Sequence, residues 1–324
     1  MSILYSDAMR SYKSFWLCIA TLLLYSICGI AIADSQLSNA MPVGLQEDKR
    51  ILELKKNVEK PVVALVLGSG GARGYAHIGV LEALEQQGIK PDFIVGTSAG
   101  SLVGALYASG KSAEQLHQIA LDLKVNDVRD FKVGKQGFFD GKKVQDYINK
   151  LVEGQSLEHL RIPMYVVATQ LKSGEKVIFN QGNTGLAVRA SVTIPSMFAP
   201  TLIAGKEYVD GGLVSPVPVN IARDLGADIV IAVDILAQPK YTETGNMWGL
   251  FNQNINIMQK TLAAEELKNA DVVIQPDLRE KLHIFDIKGR ETTIHAGELA
   301  TQLKMKQIKS VLQRNTDLNV SQEK

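Results

Sequence analysis

The chain contains little cysteine, and the two residues that it has lie close to its start. Cys18 and Cys28 both precede residue 30, and no cysteine follows in the remainder of the 324 residues. The region expected to fold therefore has no internal disulfide, no cysteine-ligated zinc and no thiol nucleophile. The five histidines show neither HxH nor HxxxH spacing, which disfavours a metal site as well. We expect neither a metal nor an organic cofactor.

The chain also lacks an excess of charge of either sign. Its 35 lysine and arginine residues are balanced by 34 aspartate and glutamate residues, which leaves a formal net charge of +1. A nucleic-acid-binding protein usually carries a basic surface, so the sequence does not favour nucleic acid as a partner. Hydrophobic residues make up 46% and charged residues 21%. Because no low-complexity linker divides the chain, this composition predicts one large folded domain.

The N-terminal segment has the pattern of an export signal. Arg10 and Lys13 precede an uncharged stretch over residues 15–33, which ends in the small-residue sequence Ala-Ile-Ala. We predict a signal peptide over residues 1–33 and a periplasmic or secreted protein. Because the stretch has 19 residues, it would also be long enough to anchor the protein in a membrane if it stayed uncleaved. Residues 34–60 are polar and charged, which predicts a short helix or a tether before the domain.

Apolar runs that alternate with helical patterns predict an α/β fold. Residues 62–67 form a continuous apolar run, which is typical of a strand buried within a parallel sheet. A second short strand over residues 91–95 leads into an apolar helix over residues 99–108. This alternation predicts a mostly parallel sheet covered on both faces, a three-layer α/β/α architecture. We place this domain at residues 61–275, with a mostly helical C-terminal extension, residues 276–324, packed on it.

The sequence Gly-Thr-Ser-Ala-Gly at positions 96–100 stands between the second strand and its helix. In a G-x-S-x-G motif the serine lies on a sharp turn, and small neighbours such as Gly96 and Gly100 let the backbone fold that tightly. The turn would place Ser98 at the N-terminus of the helix, where free N–H groups favour developing negative charge. The pattern predicts a nucleophilic Ser98. Its alternative interpretation is a plain strand–helix turn with a capping serine.

A glycine-rich loop, Gly-Ser-Gly-Gly-Ala-Arg-Gly at positions 68–74, follows the first strand. It lacks the Gly-Lys-Ser/Thr ending of a P-loop, and Arg73 replaces the last glycine of a dinucleotide fingerprint. Several glycines in a short loop let several backbone N–H groups point into one space. Ser98 follows the neighbouring strand, so it would lie at the same edge of the sheet. An oxyanion hole is therefore favoured, and the side chain of Arg73 would either hold the loop rigid or face the oxyanion. The predicted donors are Gly70, Gly71, Ala72 and Arg73.

A third motif, Asp210-Gly211-Gly212, follows another short strand. Asp-Gly is a common turn on its own. The motif gains significance here because Ser98 needs a base. The two glycines after the aspartate permit a close approach of the two segments. We predict that Asp210 is that base.

Together the three motifs resemble the patatin-like phospholipase family, most closely its bacterial esterase-type branch. The resemblance covers roughly residues 61–275 and extends to Arg189-Ala-Ser191 within it. The family implies a Ser–Asp dyad without histidine, with Ser98 as nucleophile and Asp210 as base. It also implies a lipid ester as substrate, as in a phospholipase A, a lysophospholipase or an esterase. Ser69 departs from the family pattern, because many members have a third consecutive glycine there.

Three other functions fit part of the pattern. An α/β-hydrolase would use Ser98 and Asp210 with His283 or His295 as a triad. That fold places several strands before its serine turn, and only one convincing strand precedes it here. An acyltransferase would use the same serine with a different acceptor. A nucleotide-binding module is the non-enzyme alternative, which the two failed phosphate fingerprints disfavour.

Two apolar segments are candidate lipid contacts. One run contains Ile194, Met197 and Phe198, and it would line the approach to Ser98, since ester-binding pockets are mostly apolar. A second cluster over residues 248–258 would pack in the core, form an oligomer contact or contact a membrane surface. The sequence leaves the head group, the acyl length and the oligomeric state open.

Overall fold

A computed structural model of the chain describes residues 49–56, 60–131, 137–242, 244–278 and 289–322. The predicted signal segment and His283 lie outside these residues. Among the described helices, none combines the length and the apolar character needed to cross a membrane.

The described strands are β1 (Val63–Leu67), β2 (Phe93–Thr97), β3 (Met164–Gln170), β4 (Lys176–Phe179), β5 (Thr201–Ile203), β6 (Lys206–Asp210), β7 (Ile229–Val233) and β8 (Val272–Ile274). They form one sheet in the order β5-β6-β3-β2-β1-β7-β8, and β4 pairs with β3 beside this path. β3, β2, β1, β7 and β8 are parallel, as the sequence predicts. β4 and β6 run antiparallel to β3, and β5 runs antiparallel to β6. The sheet is therefore mixed, with an antiparallel part that the alternation of strands and helices did not indicate.

Burial on both faces explains why the central strand β1 has no alternation of polar and apolar residues. Val63, Leu65 and Leu67 pack into the larger of two apolar clusters, and Ala64 and Val66 pack into the smaller one. Successive side chains of a strand point to opposite faces, so the two clusters lie on the two faces of the sheet. Every residue of β1 is buried because both faces are covered.

Helices supply the two outer layers. The described helices are α1 (Lys49–Lys55), α2 (Tyr75–Gln86), α3 (Ala99–Ala108), α4 (Ala113–Asp122), α5 (Val125–Val128), α6 (Lys142–Leu151), α7 (Thr184–Val192), α8 (Val219–Asp224), α9 (Met247–Glu266) and α10 (Arg290–Gln322). Helices α2, α3, α4, α6, α7 and α10 bury side chains in the larger cluster, whereas α1, α8 and α9 bury theirs in the smaller one. This arrangement confirms the three-layer α/β/α architecture.

Both ends of the described chain pack on the sheet layers. A Cβ on Gly79 of α2 would lie 1.9 Å from Ile294 O, and one on Gly297 of α10 would lie 2.0 Å from Ala76 O. Glycine at these positions therefore lets α10 cross α2 at backbone distance. The last part of the predicted tether forms α1, whose Ile51 is buried in the smaller cluster.

Candidate active site

Two strands end against each other along one edge of β3. β2 runs parallel to β3 and ends with Thr97 paired to Val167. β6 runs antiparallel and ends with Asp210 paired to Ala168. β4 pairs with the same two residues of β3 and so occupies its other edge. Because Val167 and Ala168 are consecutive, the ends of β2 and β6 meet. Ser98, the residue after β2, consequently lies beside Asp210.

The backbone at Ser98 forms a sharp turn between β2 and α3. Its φ of 53° and ψ of −120° belong to a conformation that residues with a side chain rarely adopt. A Cβ on Gly96 would lie 2.7 Å from Gly100 O, and one on Gly100 would lie 2.0 Å from Leu67 O. Glycine is therefore required on both sides of the serine. The turn has the strand–turn–helix geometry that exposes a nucleophile at the sheet edge.

Ser98 and Asp210 form a direct hydrogen bond. Ser98 Oγ donates to Asp210 Oδ2 at 2.6 Å, and the second carboxylate oxygen accepts from Gly212 N at 2.7 Å. Both side chains are buried. Burial raises the pKa of Asp210 to about 6, while the hydrogen bonds from Ser98 and Gly212 act in the opposite direction. Asp210 is thus a stronger base than an ordinary aspartate and remains ionised at neutral pH.

Ser191 positions the backbone of the serine turn, a role that the sequence analysis did not assign. Its Oγ accepts from Ser98 N at 2.8 Å and donates to Val167 O at 2.6 Å. The hydroxyl therefore ties the strained turn to β3, where the two strand ends meet. A polar residue near the end of α7, a helix with many buried residues, is the signal that could have identified it.

The glycine-rich loop borders the same space as Ser98. Gly71 and Ala72 line one cavity with the serine, and Gly71 has a positive φ of 59°. A short 3-10 turn spans Gly71–Gly74, and Arg73 N donates to Gly70 O at 3.2 Å. The N–H groups of Gly70, Gly71 and Ala72 precede that bond, at the start of a helical turn, where N–H groups have no partner within the turn. Of the four predicted oxyanion donors, these three remain candidates, whereas the N–H of Arg73 is bonded to Gly70 O.

The side chain of Arg73 holds the loop against the chain that follows β7. Its Nε donates to Ile235 O at 2.8 Å. Burial lowers the pKa of Arg73 to about 10, while the nearby carboxylate of Asp234 acts in the opposite direction. A Cβ on Gly70 would lie 2.6 Å from Ile235 Cδ1, so the loop packs closely on this segment. Arg73 therefore contributes to the shape of the loop.

Of the two histidines proposed for a triad, His295 does not contact Asp210, and His283 lies outside the described residues. His295 is exposed on α10, where its Nδ1 lies 3.3 Å from Glu298 Oε2. His77 is buried, and its Nε2 donates to Gly68 O at 2.9 Å. Burial lowers the pKa of His77 to about 4, so this neutral imidazole supports the glycine-rich loop.

An apolar cavity of about 190 Å³ begins at Ser98. Of the predicted pocket residues, Ile194 and Phe198 line it, whereas Met197 is not among its described lining residues. The sequence analysis missed the walls supplied by three helices, because their residues are distant in sequence and follow ordinary amphipathic spacing. These walls include Leu102 and Leu106 of α3, Leu116 and Ile119 of α4, and Val144 and Tyr147 of α6.

A metal ion would need a cluster of suitable ligands. Over the residues that the structure describes, no group of three or more histidine, cysteine, aspartate or glutamate side chains could hold one. The hydrogen bond between Ser98 and Asp210, the loop amides and the apolar cavity are the chemical features that the described site offers.

Comparison with known proteins places this site in a family. Residues 65–223 match the patatin-like phospholipase family. An uncharacterized NTE family protein from Mycobacterium bovis is 38% identical over 177 residues, which cover 54% of this chain and 49% of that protein. Patatin-like phospholipase domain-containing protein 6 from Homo sapiens is 35% identical over 208 residues, which cover 60% of this chain and 15% of that protein. The chain thus aligns with about half the length of the mycobacterial relative.

The fold is also similar to a solved structure. VipD from Legionella pneumophila superposes with a TM-score of 0.50 at 14% sequence identity, covering 78% of this chain and 67% of that chain. At this identity the likeness concerns the fold alone. The family match spans the glycine-rich loop from Gly68, the serine turn and the Asp210 turn. The chain therefore carries, over residues 65–223, a patatin-like phospholipase domain.

Proposed function

We propose that the protein hydrolyses carboxylic esters of lipids, with Ser98 as nucleophile and Asp210 as general base. The observation that carries the proposal is the 2.6 Å hydrogen bond from Ser98 Oγ to Asp210 Oδ2 at the start of an apolar cavity. The family relation supports the same chemistry. A buried serine–carboxylate contact alone could be structural, but here it stands on a strained turn next to loop N–H groups, where an ester carbonyl can be attacked.

Acylation follows from this contact. Ser98 Oγ attacks the ester carbonyl carbon while its proton moves to Asp210 Oδ2. The carbonyl oxygen becomes an oxyanion, which accepts hydrogen bonds from the N–H groups of Gly70, Gly71 and Ala72. When the tetrahedral intermediate collapses, the bond to the alcohol oxygen breaks and Asp210 returns the proton to that oxygen. The alcohol leaves, and the acyl group stays on Ser98.

Deacylation repeats these steps with water. The water oxygen attacks the acyl carbonyl and gives a proton to Asp210. Collapse of the second intermediate releases the carboxylic acid, and Ser98 Oγ recovers its proton from Asp210. The single carboxylate therefore serves as base and acid in turn, without an imidazole.

The function is tested by fatty-acid release from a lysophospholipid and from p-nitrophenyl esters. We expect release from both, and we expect excess EDTA to leave it unchanged. A protein that hydrolyses neither substrate would contradict the proposed function. Complete, calcium-reversible loss of activity in EDTA would contradict the metal-free mechanism.

The pH dependence of hydrolysis should show the pKa of Asp210 if this residue is the general base. Because Asp210 accepts a proton only when ionised, kcat/KM for p-nitrophenyl butyrate should fall about tenfold per pH unit below the pKa of about 6. It should level off above that pH. Circular dichroism across the same range controls for unfolding. A profile that stays flat down to about pH 4, where an unperturbed aspartate titrates, would contradict the assignment.

The cavity should set the acyl-chain preference. Leu106 lies about 10 Å beyond Ala99 along α3, since a helix rises about 1.5 Å per residue. Leu106→Ala should shift the preference among p-nitrophenyl esters towards longer chains, and Leu106→Phe should shift it towards shorter ones. The measurement is kcat/KM across a series of chain lengths.

Leu81→Ala is the matched control for the cavity prediction. Leu81 is buried in the same apolar cluster but is not one of the described cavity-lining residues. Its removal should lower the melting temperature without changing the chain-length preference. Equal losses for every ester in both Leu106 variants would show that Leu106 serves packing alone.

A further inference from the structure

Three aromatic rings form a row between the solvent and the cavity at Ser98. The innermost, Phe198, lines that cavity and is 4% exposed. The ring centroid of Phe139 lies 5.5 Å from that of Phe198, and the centroid of Phe131 lies 5.8 Å from that of Phe139. Phe131, the outermost, is 69% exposed. These three residues, here called the aromatic row, extend from the protein surface to the wall of the cavity.

A second exposed phenylalanine stands beside the aromatic row and is held there by its backbone. Phe138 is 54% exposed, and its N–H donates to Met197 O at 2.8 Å. The N–H of Phe139 donates to the same carbonyl at 3.0 Å, and Ala199 N donates to Phe139 O at 2.8 Å. The fold itself therefore presents the side chain of Phe138 to the solvent. Phe131 and Phe138 are linked through Phe139, which contacts Phe131 and follows Phe138 in the chain, and the removal of both exposed side chains from water is favourable.

Two exposed cationic side chains lie near the aromatic row, and the Nζ of one of them, Lys143, also donates to Asn126 O at 2.9 Å. Arg129 and Lys143 are exposed, and the guanidinium carbon of Arg129 lies 5.2 Å from the ring centroid of Phe139. The carboxylate of Asp130, between them in sequence, accepts from the backbone N–H groups of Gly141 and Lys143 at 2.8 and 3.0 Å. The surface at Phe131 and Phe138 thus combines aromatic side chains with exposed cations. This combination suits a lipid surface with anionic headgroups.

We propose that Phe131 and Phe138 insert into a lipid surface with anionic headgroups, on the side of the cavity that Phe198 lines. This inference rests on the proposed function, since a lipid ester is presented to the enzyme in such a surface. Insertion removes two aromatic side chains from water, while Arg129 and Lys143 stay at the level of the headgroups. Continuity with the substrate cavity favours a lipid surface over a second copy of the chain.

Helix α9 carries other exposed apolar side chains near the site. Met247 is 90% and Met258 is 62% exposed. The helix contacts the turn after Asp210 through a hydrogen bond from Gln259 Nε2 to Gly212 O at 3.2 Å. No described residue of α9 lines the cavity. Met247 and Met258 therefore provide a matched control, because they are similarly exposed but belong to a helix that does not line the cavity.

The test compares sedimentation with vesicles and hydrolysis of water-soluble p-nitrophenyl butyrate. The vesicles contain phosphatidylglycerol and phosphatidylcholine. The double variant Phe131→Ala/Phe138→Ala should bind them about tenfold more weakly or worse, while its kcat/KM for the soluble ester stays within about twofold of wild type. Phe131→Trp/Phe138→Trp should keep vesicle binding, since tryptophan also favours the interface. Vesicles of phosphatidylcholine alone should bind the wild type more weakly.

Several results would overturn the proposal. Wild-type vesicle binding by the alanine variant would do so, as would loss of binding in Met247→Ala/Met258→Ala. A change of oligomeric state in the alanine variant, seen by light scattering, would assign the surface to a second copy instead. Equal binding to both vesicle types would overturn the role of the cations. Failure of the wild type to hydrolyse p-nitrophenyl butyrate would contradict the proposed function, and vesicle binding would still decide the docking surface.

Discussion

Replacing Ser98 with alanine is expected to reduce kcat for ester hydrolysis by about 10³-fold or more. In the proposed mechanism the hydroxyl oxygen of Ser98 becomes acylated, and its removal leaves Asp210 without a proton to accept. The fold should persist, because the change deletes one oxygen, whereas the backbone N–H of Ser98 keeps its bond to Ser191. Kinetics with p-nitrophenyl butyrate and a melting curve measure the two effects.

Ser109→Ala is the matched control for this experiment. Ser109 follows the same helix, α3, and its Oγ donates to Leu106 O at the end away from the dyad. Its kcat should stay close to that of wild type. If Ser98→Ala kept more than about a tenth of the wild-type kcat, the nucleophile would lie elsewhere.

Asp210→Asn is expected to reduce kcat by about 10²-fold or more. The amide keeps the shape of the side chain but cannot take the proton from Ser98 Oγ. Asp228→Asn is a suitable control, because Asp228 accepts from Val62 N at the opposite end of the sheet. That variant should keep its activity.

The melting temperature of Asp210→Asn distinguishes loss of the general base from loss of the folded structure. The pKa of Asp210 is raised in the folded state, so the ionised carboxylate destabilises the fold as pH rises from the unfolded pKa of 3.8 through about 6. Asp210→Asn removes that cost, and its melting temperature at pH 8 should not fall below that of wild type. An inactive variant that is also unfolded would therefore contradict this account of the site.

Histidine variants distinguish the dyad from a triad. Under the dyad, His283→Ala and His295→Ala each keep activity within about tenfold of wild type, whereas a triad loses several orders of magnitude without its histidine. His77→Ala is less diagnostic, because His77 bonds to the glycine-rich loop. Collapse of activity in a folded His283 or His295 variant would favour an α/β-hydrolase triad.

The parts of the site that could be predicted from the sequence are those fixed by local sterics. The helix after Ser98 is predicted over residues 99–108 and is found at Ala99–Ala108. The G-x-S-x-G spacing identifies the turn, since a Cβ at Gly96 or Gly100 would collide with the backbone. Buried β1 is likewise recognisable from its unbroken apolar run.

The remaining features depend on contacts between segments that are distant in sequence. β3 pairs with β2, β4 and β6, and a strand pattern does not reveal which neighbours it will find. The hydroxyl of Ser191 gains its role only because α7 brings it 2.8 Å from Ser98 N. The cavity walls from α4 and α6 could not be predicted for the same reason. Amphipathic spacing shows that a helix buries one face, but not which cavity that face will line.

Labelling with a fluorophosphonate probe, followed by mass spectrometry of the modified peptide, tests the central claim most directly. The probe phosphonylates an activated serine with loss of fluoride, so it identifies the nucleophile without requiring the natural substrate. The account predicts one adduct, on Ser98, in the wild type, slower labelling in Asp210→Asn, and none in Ser98→Ala. Undiminished labelling of Ser98→Ala, or an adduct on another serine of the wild type, would contradict it.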